Sequence, residues 1–158
     1  MAMETAIFSA GCFWGVEAAF RKVKGVVSTM AGYTGGHTAD PTYEQVCTGT
    51  TGHAESVEVT YDPSNVSYDD LLTAFWRIHD PTTRNRQGPD VGSQYRSAIF
   101  YRNLQQREAA QQSKRQQEQS RRDSRTIVTE LVQAMPFYKA EEYHQRYLEK
   151  HGQASCHL

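Results

Sequence analysis

The chain has 158 residues, a formal net charge of −1, and 38% hydrophobic and 22% charged residues. That is enough chain for one domain with a true core, and it gives no global electrostatic pull toward nucleic acid or anionic membrane. No stretch approaches the roughly 18 apolar residues of a membrane span, and the first five residues carry no basic region ahead of an apolar run, so neither a span nor a signal peptide is expected.

In chain order, Thr5 to Ser9 reads as a first strand and Phe13 to Lys22 as a helix with apolar residues at Val16, Ala19, Phe20 and Val23. Between them lies Gly11-Cys12-Phe13-Trp14-Gly15. A thiol at this turn meets the unpaired N–H groups and partial positive charge of a helix start, which stabilise a thiolate. Val26 to Tyr33 reads as a second strand, followed by a glycine- and threonine-rich loop and a short helical piece from Thr42 to Thr48. Ala54 to Tyr61 alternates Val57, Val59 and Tyr61 against Ser56, Glu58 and Thr60, the pattern of a half-buried strand. Ser67 followed by Asp70 fits a capped helix start, and Leu71, Leu72, Phe75, Trp76 and Ile78 supply its apolar face.

Thr82 to Gln94 reads as a long polar loop, a kind of segment that is often functional. Then come a strand from Tyr95 to Tyr101, a polar helix from Asn103 to Arg122, a strand from Ile127 to Val132 and a final helix from Lys139 to Lys150. The whole is expected to form a single domain over residues 1–158 of the α+β or mixed α/β class, with helices packed on a mixed sheet and a mobile tail from about residue 151.

Three widely spaced cysteines, Cys12, Cys47 and Cys156, fit a reducing compartment, so a cytoplasmic location is expected. No C-x-x-C occurs, and neither a metal nor a cofactor is expected. The Arg- and Gln-rich segment Arg102 to Arg125 is open to reading as an RNA-binding helix. It is diluted by Glu108, Glu118 and Asp123 and has no interleaved aromatics for base stacking, so a solvated helix face is the better reading. A cysteine hydrolase built from Cys12, His53 and Asp90 is the competing enzyme; it requires a base within reach of the thiol and an oxyanion hole.

Several motifs in register carry a family resemblance: Gly11-Cys12-Phe13-Trp14-Gly15, Gly32-Tyr33-Thr34-Gly35-Gly36, Pro41-Thr42-Tyr43, Gly52-His53-Ala54-Glu55 and Gln94-Tyr95-Arg96-Ser97. Tyr61-Asp62-Pro63, His79-Asp80-Pro81 and Pro136-Phe137-Tyr138 are further landmarks. Together, over about Phe8 to Leu148, they resemble the A-type peptide methionine-S-sulfoxide reductases. The resemblance implies a two-layer α/β sandwich with a ferredoxin-like core. It implies that Cys12 attacks the sulfoxide sulfur, that Glu55 protonates the sulfoxide oxygen, that Tyr43 and Tyr95 hold that oxygen, that Asp90 orders the site, and that Phe13 and Trp14 grip the substrate methyl group. Its substrates would be proteins or peptides containing methionine sulfoxide, its reductant thioredoxin, and its state monomeric.

The chemistry agrees with those roles. A sulfoxide oxygen leaves only once protonated, so a neutral acid is needed beside the thiol, and a Glu desolvated among aromatics keeps its proton. The product on Cys12 is a sulfenic acid that needs a second thiol. Cys156, in the C-terminal tail, is the expected resolving residue by position; Cys47, in the short helical piece, is expected to be packed and structural.

Overall fold

The computed structural model describes residues 2–152; Cys156 and most of the expected tail lie outside them. The elements are β1 (Glu4–Ala10), α1 (Phe13–Arg21), β2 (Val26–Thr34), α2 (Tyr43–Cys47), β3 (Ala54–Tyr61), α3 (Tyr68–Arg77), β4 (Arg86–Gln87), β5 (Asp90–Val91), β6 (Ser97–Tyr101), α4 (Leu104–Ser120), β7 (Glu130–Gln133), β8 (Tyr138–Lys139) and α5 (Tyr147–Lys150). Single 3-10 turns cover Ser93–Tyr95 and Glu142–His144.

Six strands form one mixed sheet in the order β7-β6-β1-β3-β2-β8. Its centre is a split β-α-β unit. β3 lies between β1 and β2 and runs antiparallel to both, while β6 flanks β1 antiparallel on the other side. β7 adds to β6 in parallel and β8 to β2 antiparallel. The expected mixed sheet with helices packed on it is thus the observed fold.

Strand alternation divides the sheet into two faces. Ala6, Phe8 and Ala10 of β1 and Val57 and Val59 of β3 join Phe13, Val16 and Phe20 of α1 and Leu71, Leu72 and Phe75 of α3 in the main core. Phe8 sits at its centre, with ring centroids 5.0 Å from Phe20 and 5.4 Å from Phe75. The opposite face carries a smaller cluster of Ile7, Ala98 and Phe100, covered by Val132 and Phe137. α4 is too polar to hold itself by burial alone. It contributes Ala110 to the core, and Ser113 accepts the indole N–H of Trp76 at 2.8 Å.

Two helix starts follow their sequence signals. Ser67 and Asp70 form a reciprocal capping box at α3, and Thr42 and Gln45 form another at α2. The segment expected as a last helix from Lys139 to Lys150 differs. It is strand β8, a 3-10 turn and one turn of α5, with Arg146 in the left-handed region at φ 52°. Tertiary hydrogen bonds supply the reason. The Gln145 amide accepts from Ala31 N–H and donates to the carbonyls of Ala31 and Ala140, and the Arg146 N–H donates to the buried Glu17 carboxylate at 2.7 Å. A continuous helix would break these bonds.

Tyr95 is likewise not in a strand but closes the 3-10 turn before β6, and the Thr82–Gln94 loop contains the small β4-β5 hairpin. Strand pairing of the Ile127–Val132 stretch starts only at Glu130.

Candidate active site

The site forms where the C-terminal end of β1 turns into α1. Gly11 makes that turn at φ +102°, and Cys12 follows at the N-cap position of α1, half-buried, with its carbonyl accepting from Val16 N–H. A Cβ on Gly11 would meet Gln87 Cγ at 2.9 Å, so both conformation and space require glycine here. Gln87 is itself fixed, its amide accepting from Asp80 N–H and donating to the Asp80 carbonyl. We expect Gly11→Ala to destabilise the fold by about 1–3 kcal/mol. A thermal melt should show a midpoint roughly 3–10 °C lower. Adding Gln87→Ala should recover part of that loss, because it removes the clash but not the unfavourable φ.

Glu55 stands near the start of β3, opposite Tyr33 of β2, on the face that carries Val57 and Val59. That alternation aims its carboxyl at the start of α1, where Oε1 accepts the Phe13 N–H at 3.1 Å. Its residue is 1% exposed. The carboxyl therefore lies one residue from the thiol, bound to the same helix N-terminus.

Tyr43 and Tyr95 both lie within electrostatic reach of this carboxyl. Burial, then the hydrogen bond to Cys47, then the Glu55 charge push the Tyr43 phenol well above its ordinary range. Burial, then the charges of Glu55 and Asp90 and the nearby thiols of Cys47 and Cys12, do the same for Tyr95. Both phenols keep their protons at any physiological pH and act as donors. Asp90, in β5 opposite Gln87, joins the site through its electrostatic effect on Tyr95.

Phe13 is fully buried beneath the site, its ring 5.6 Å from Tyr33 and 6.5 Å from Tyr43. Trp14 is half-buried. It stacks on Tyr147 at 3.7 Å and 7°, and its indole N–H donates to His144 Nδ1 at 2.9 Å. That bond assigns the proton of a neutral His144 to Nε2, and burial pushes this imidazole down even though the Glu141 charge opposes it.

The sequence reading missed this outer layer. Glu141 accepts the Tyr33 hydroxyl at 2.8 Å with one oxygen and the Tyr43 N–H at 2.9 Å with the other, so it braces the start of α2. His144 lies against Phe13, Trp14 and Tyr43 together. The only signal was compositional: Glu-Glu-Tyr-His-Gln-Arg-Tyr is rich in chemistry-bearing residues, but its spacing was read as a helix.

Two expectations are corrected here. Cys47 is exposed rather than packed, because the five-residue α2 fully buries only Val46, and its sulfur accepts the Tyr43 hydroxyl. His53 is not a base for Cys12. Nδ1 accepts the Gly36 N–H at 3.0 Å and Nε2 bonds the Thr38 carbonyl at 2.6 Å, so the ring ties down the glycine-rich loop. The hydrolase reading loses its base. The RNA reading is weakened as well, since three of its cations are paired: Arg102 with Glu58, Arg121 with Asp123, and Arg125 with Asp123 and Asp80. No helix among the described residues is long and apolar enough to cross a membrane.

A thiol at a helix start, a buried carboxyl bonded to the same helix start and two phenols that keep their protons are the groups that a thiol enzyme with acid catalysis uses. Comparison with known proteins specifies which one. The family model for peptide methionine sulfoxide reductase matches residues 4–158, and the chain belongs to that family. It is 64% identical over 155 residues to the peptide methionine sulfoxide reductase MsrA of Methanothermobacter thermautotrophicus, covering 98% of this chain and 92% of the relative. The crystal structure of reduced Mxr1 from Saccharomyces cerevisiae superposes with a TM-score of 0.89 at 36% identity, covering 96% of this chain and 87% of that one. Mxr1 in complex with Trx2 matches with a TM-score of 0.65 at 26% identity, over 92% and 84% of the two chains.

Proposed function

We propose that this protein reduces peptide-bound methionine-S-sulfoxide, and the free sulfoxide as well, through the Cys12 thiol. The observation that carries the reading is the Phe13 N–H bond to Glu55, which sets a buried acid beside the thiol at one helix N-terminus. Family membership supports the substrate. The substrate's methyl group rests on Trp14, with the buried Phe13 ring backing that wall, and its oxygen faces Glu55, Tyr43 and Tyr95. Burial favours the neutral form of Glu55, which gives its proton to the sulfoxide oxygen as the Cys12 sulfur attacks the sulfoxide sulfur. Asp90 orders the Tyr95 side of the site. Methionine leaves, and Cys12 carries the oxygen as a sulfenic acid.

A second thiol then condenses with that sulfenic acid, releasing water and forming a disulfide. Cys156 is our choice for this thiol and thioredoxin for the reductant that reopens the disulfide; the yeast relative solved in complex with Trx2 supports the latter. A monomeric, single-domain enzyme acting in the cytoplasm fits these requirements.

The test is dithiothreitol-driven reduction of separately prepared S and R epimers. Conversion of the S epimer only is expected, and no conversion of either would refute the reading. For the resolving step, one equivalent of substrate added to Cys156→Ser should leave a persistent sulfenic acid and stop thioredoxin-coupled turnover. Unchanged turnover there, with loss in Cys47→Ser, would transfer the role to Cys47, whose exposed sulfur beside Tyr43 makes it the one competitor.

A further inference from the structure

Beyond Trp14 the surface opens into a groove of about 410 Å³, lined by Trp14, Ala18, Arg21, Lys22, Arg146, Leu148 and Glu149. Trp14, which follows Cys12 by two positions, is shared: it lines this groove, and its indole bonds His144 and stacks on Tyr147. A polypeptide whose oxidised methionine enters at Trp14 therefore has an adjoining side chain within reach of the groove.

The charges of the groove are unbalanced. Arg21 is matched, its Nε 3.0 Å from Glu149. Lys22 and Arg146 have no carboxylate partner among the described residues within ion-pair distance, which leaves two cations for no anion beside an apolar floor of Ala18 and Leu148. In a chain whose net charge is −1, that excess is local.

Arg146 is also held there against its backbone preference. It adopts φ 52°, a left-handed conformation that costs a non-glycine residue stability, and the Glu17 carboxylate accepts its N–H at 2.7 Å. Glu17 is 1% exposed, and its other oxygen accepts the Thr29 hydroxyl. A buried carboxylate is thus committed to fixing the backbone of a groove arginine.

We propose that this groove is a substrate subsite that selects an acidic residue next to the oxidised methionine, with Lys22 and Arg146 as the specificity-determining cations. The proposal rests on the sulfoxide reductase reading. An exposed carboxylate meeting two cations over an apolar floor gains a modest, salt-sensitive preference. It adds to binding without touching the sulfoxide, so it acts on kcat/KM for peptides and leaves a neighbourless substrate alone.

The experiment compares blocked peptides carrying Glu or Lys immediately before or immediately after methionine-S-sulfoxide, with N-acetyl-methionine-S-sulfoxide amide as the neighbourless substrate. For one of the two positions the Glu peptide should exceed the Lys peptide in kcat/KM by about 3- to 10-fold at low salt, with the gap closing near 0.5 M salt. Lys22→Gln and Arg146→Gly, the second chosen because glycine accepts the left-handed backbone, should each shrink the gap while reduction of the neighbourless substrate stays unchanged. A gap that survives both substitutions, or a parallel loss on the neighbourless substrate, overturns the proposal. Equal use of Glu and Lys peptides overturns it too, and is the result expected if the groove instead receives residues 153–158 of this chain or a second copy. Failure to reduce even the neighbourless substrate would strike at the reductase reading and not at the groove.

Discussion

Cys12→Ser is expected to abolish methionine sulfoxide reduction, with a loss of at least about 10³-fold in single-turnover rate. Serine fits the same half-buried N-cap position, and the Cys12 main chain already supplies the first helical acceptor bond to Val16. The fold should therefore persist, with an unchanged thermal midpoint. What is lost is chemical. A hydroxyl does not ionise near neutral pH at a helix start as a thiol can, and it forms no sulfenic acid to carry the oxygen away. His53, the base that the hydrolase reading required, is occupied by Gly36 and Thr38 and does not activate a serine. The measurement is methionine released from the S epimer by dithiothreitol; a variant that retains more than a hundredth of the parental rate would exclude Cys12 as the nucleophile.

The second large effect belongs to Glu55→Gln. The amide keeps an oxygen that can accept the Phe13 N–H at 3.1 Å, so the start of α1 stays tied to β3. It has no proton of carboxylic acidity to give. Loss of a positioned general acid typically slows a reaction about 10²–10⁴-fold. Tyr43 and Tyr95 remain, but burial holds both phenols far above their ordinary range, so they keep an O–H to offer as a hydrogen bond and are poor proton donors. The drop should therefore fall in the chemical step, with substrate affinity little altered. Equal single-turnover rates for Glu55→Gln and the parent would remove Glu55 from the acid role.

Local rules served the sequence reading well where one element's own pattern decides its place. β3 begins and ends where its alternation predicted, and Ser67 with Asp70 caps α3 as its spacing implied. Cys12 was legible because a strand, a glycine turn and a helix follow one another without a break from Glu4 to Arg21. Glu55 was legible only through its motif; its partner, the Phe13 N–H, is 42 positions away in sequence. What escaped depended on long-range contact. Residues 139–150 have helical composition, but Glu141, Gln145 and Arg146 are committed to Tyr33, Tyr43, Ala31 and Glu17, all more than 90 positions earlier. Cys47 escaped for the opposite reason: a helix of five residues is too short for its spacing to say which side faces inward.

The clasp that Glu141, His144 and Tyr147 place on Tyr43 and Trp14 also sets a timetable for biosynthesis. Cys12 is synthesised well over a hundred positions before Glu141, His144 and Tyr147, the residues that align its surroundings. A nascent chain in which residues 141–147 have not yet emerged holds its thiol in an unassembled pocket, and the pocket is completed after the strands that form the sheet's centre. A chain cut just before Glu141 would then keep most of its core and lose the brace around Cys12.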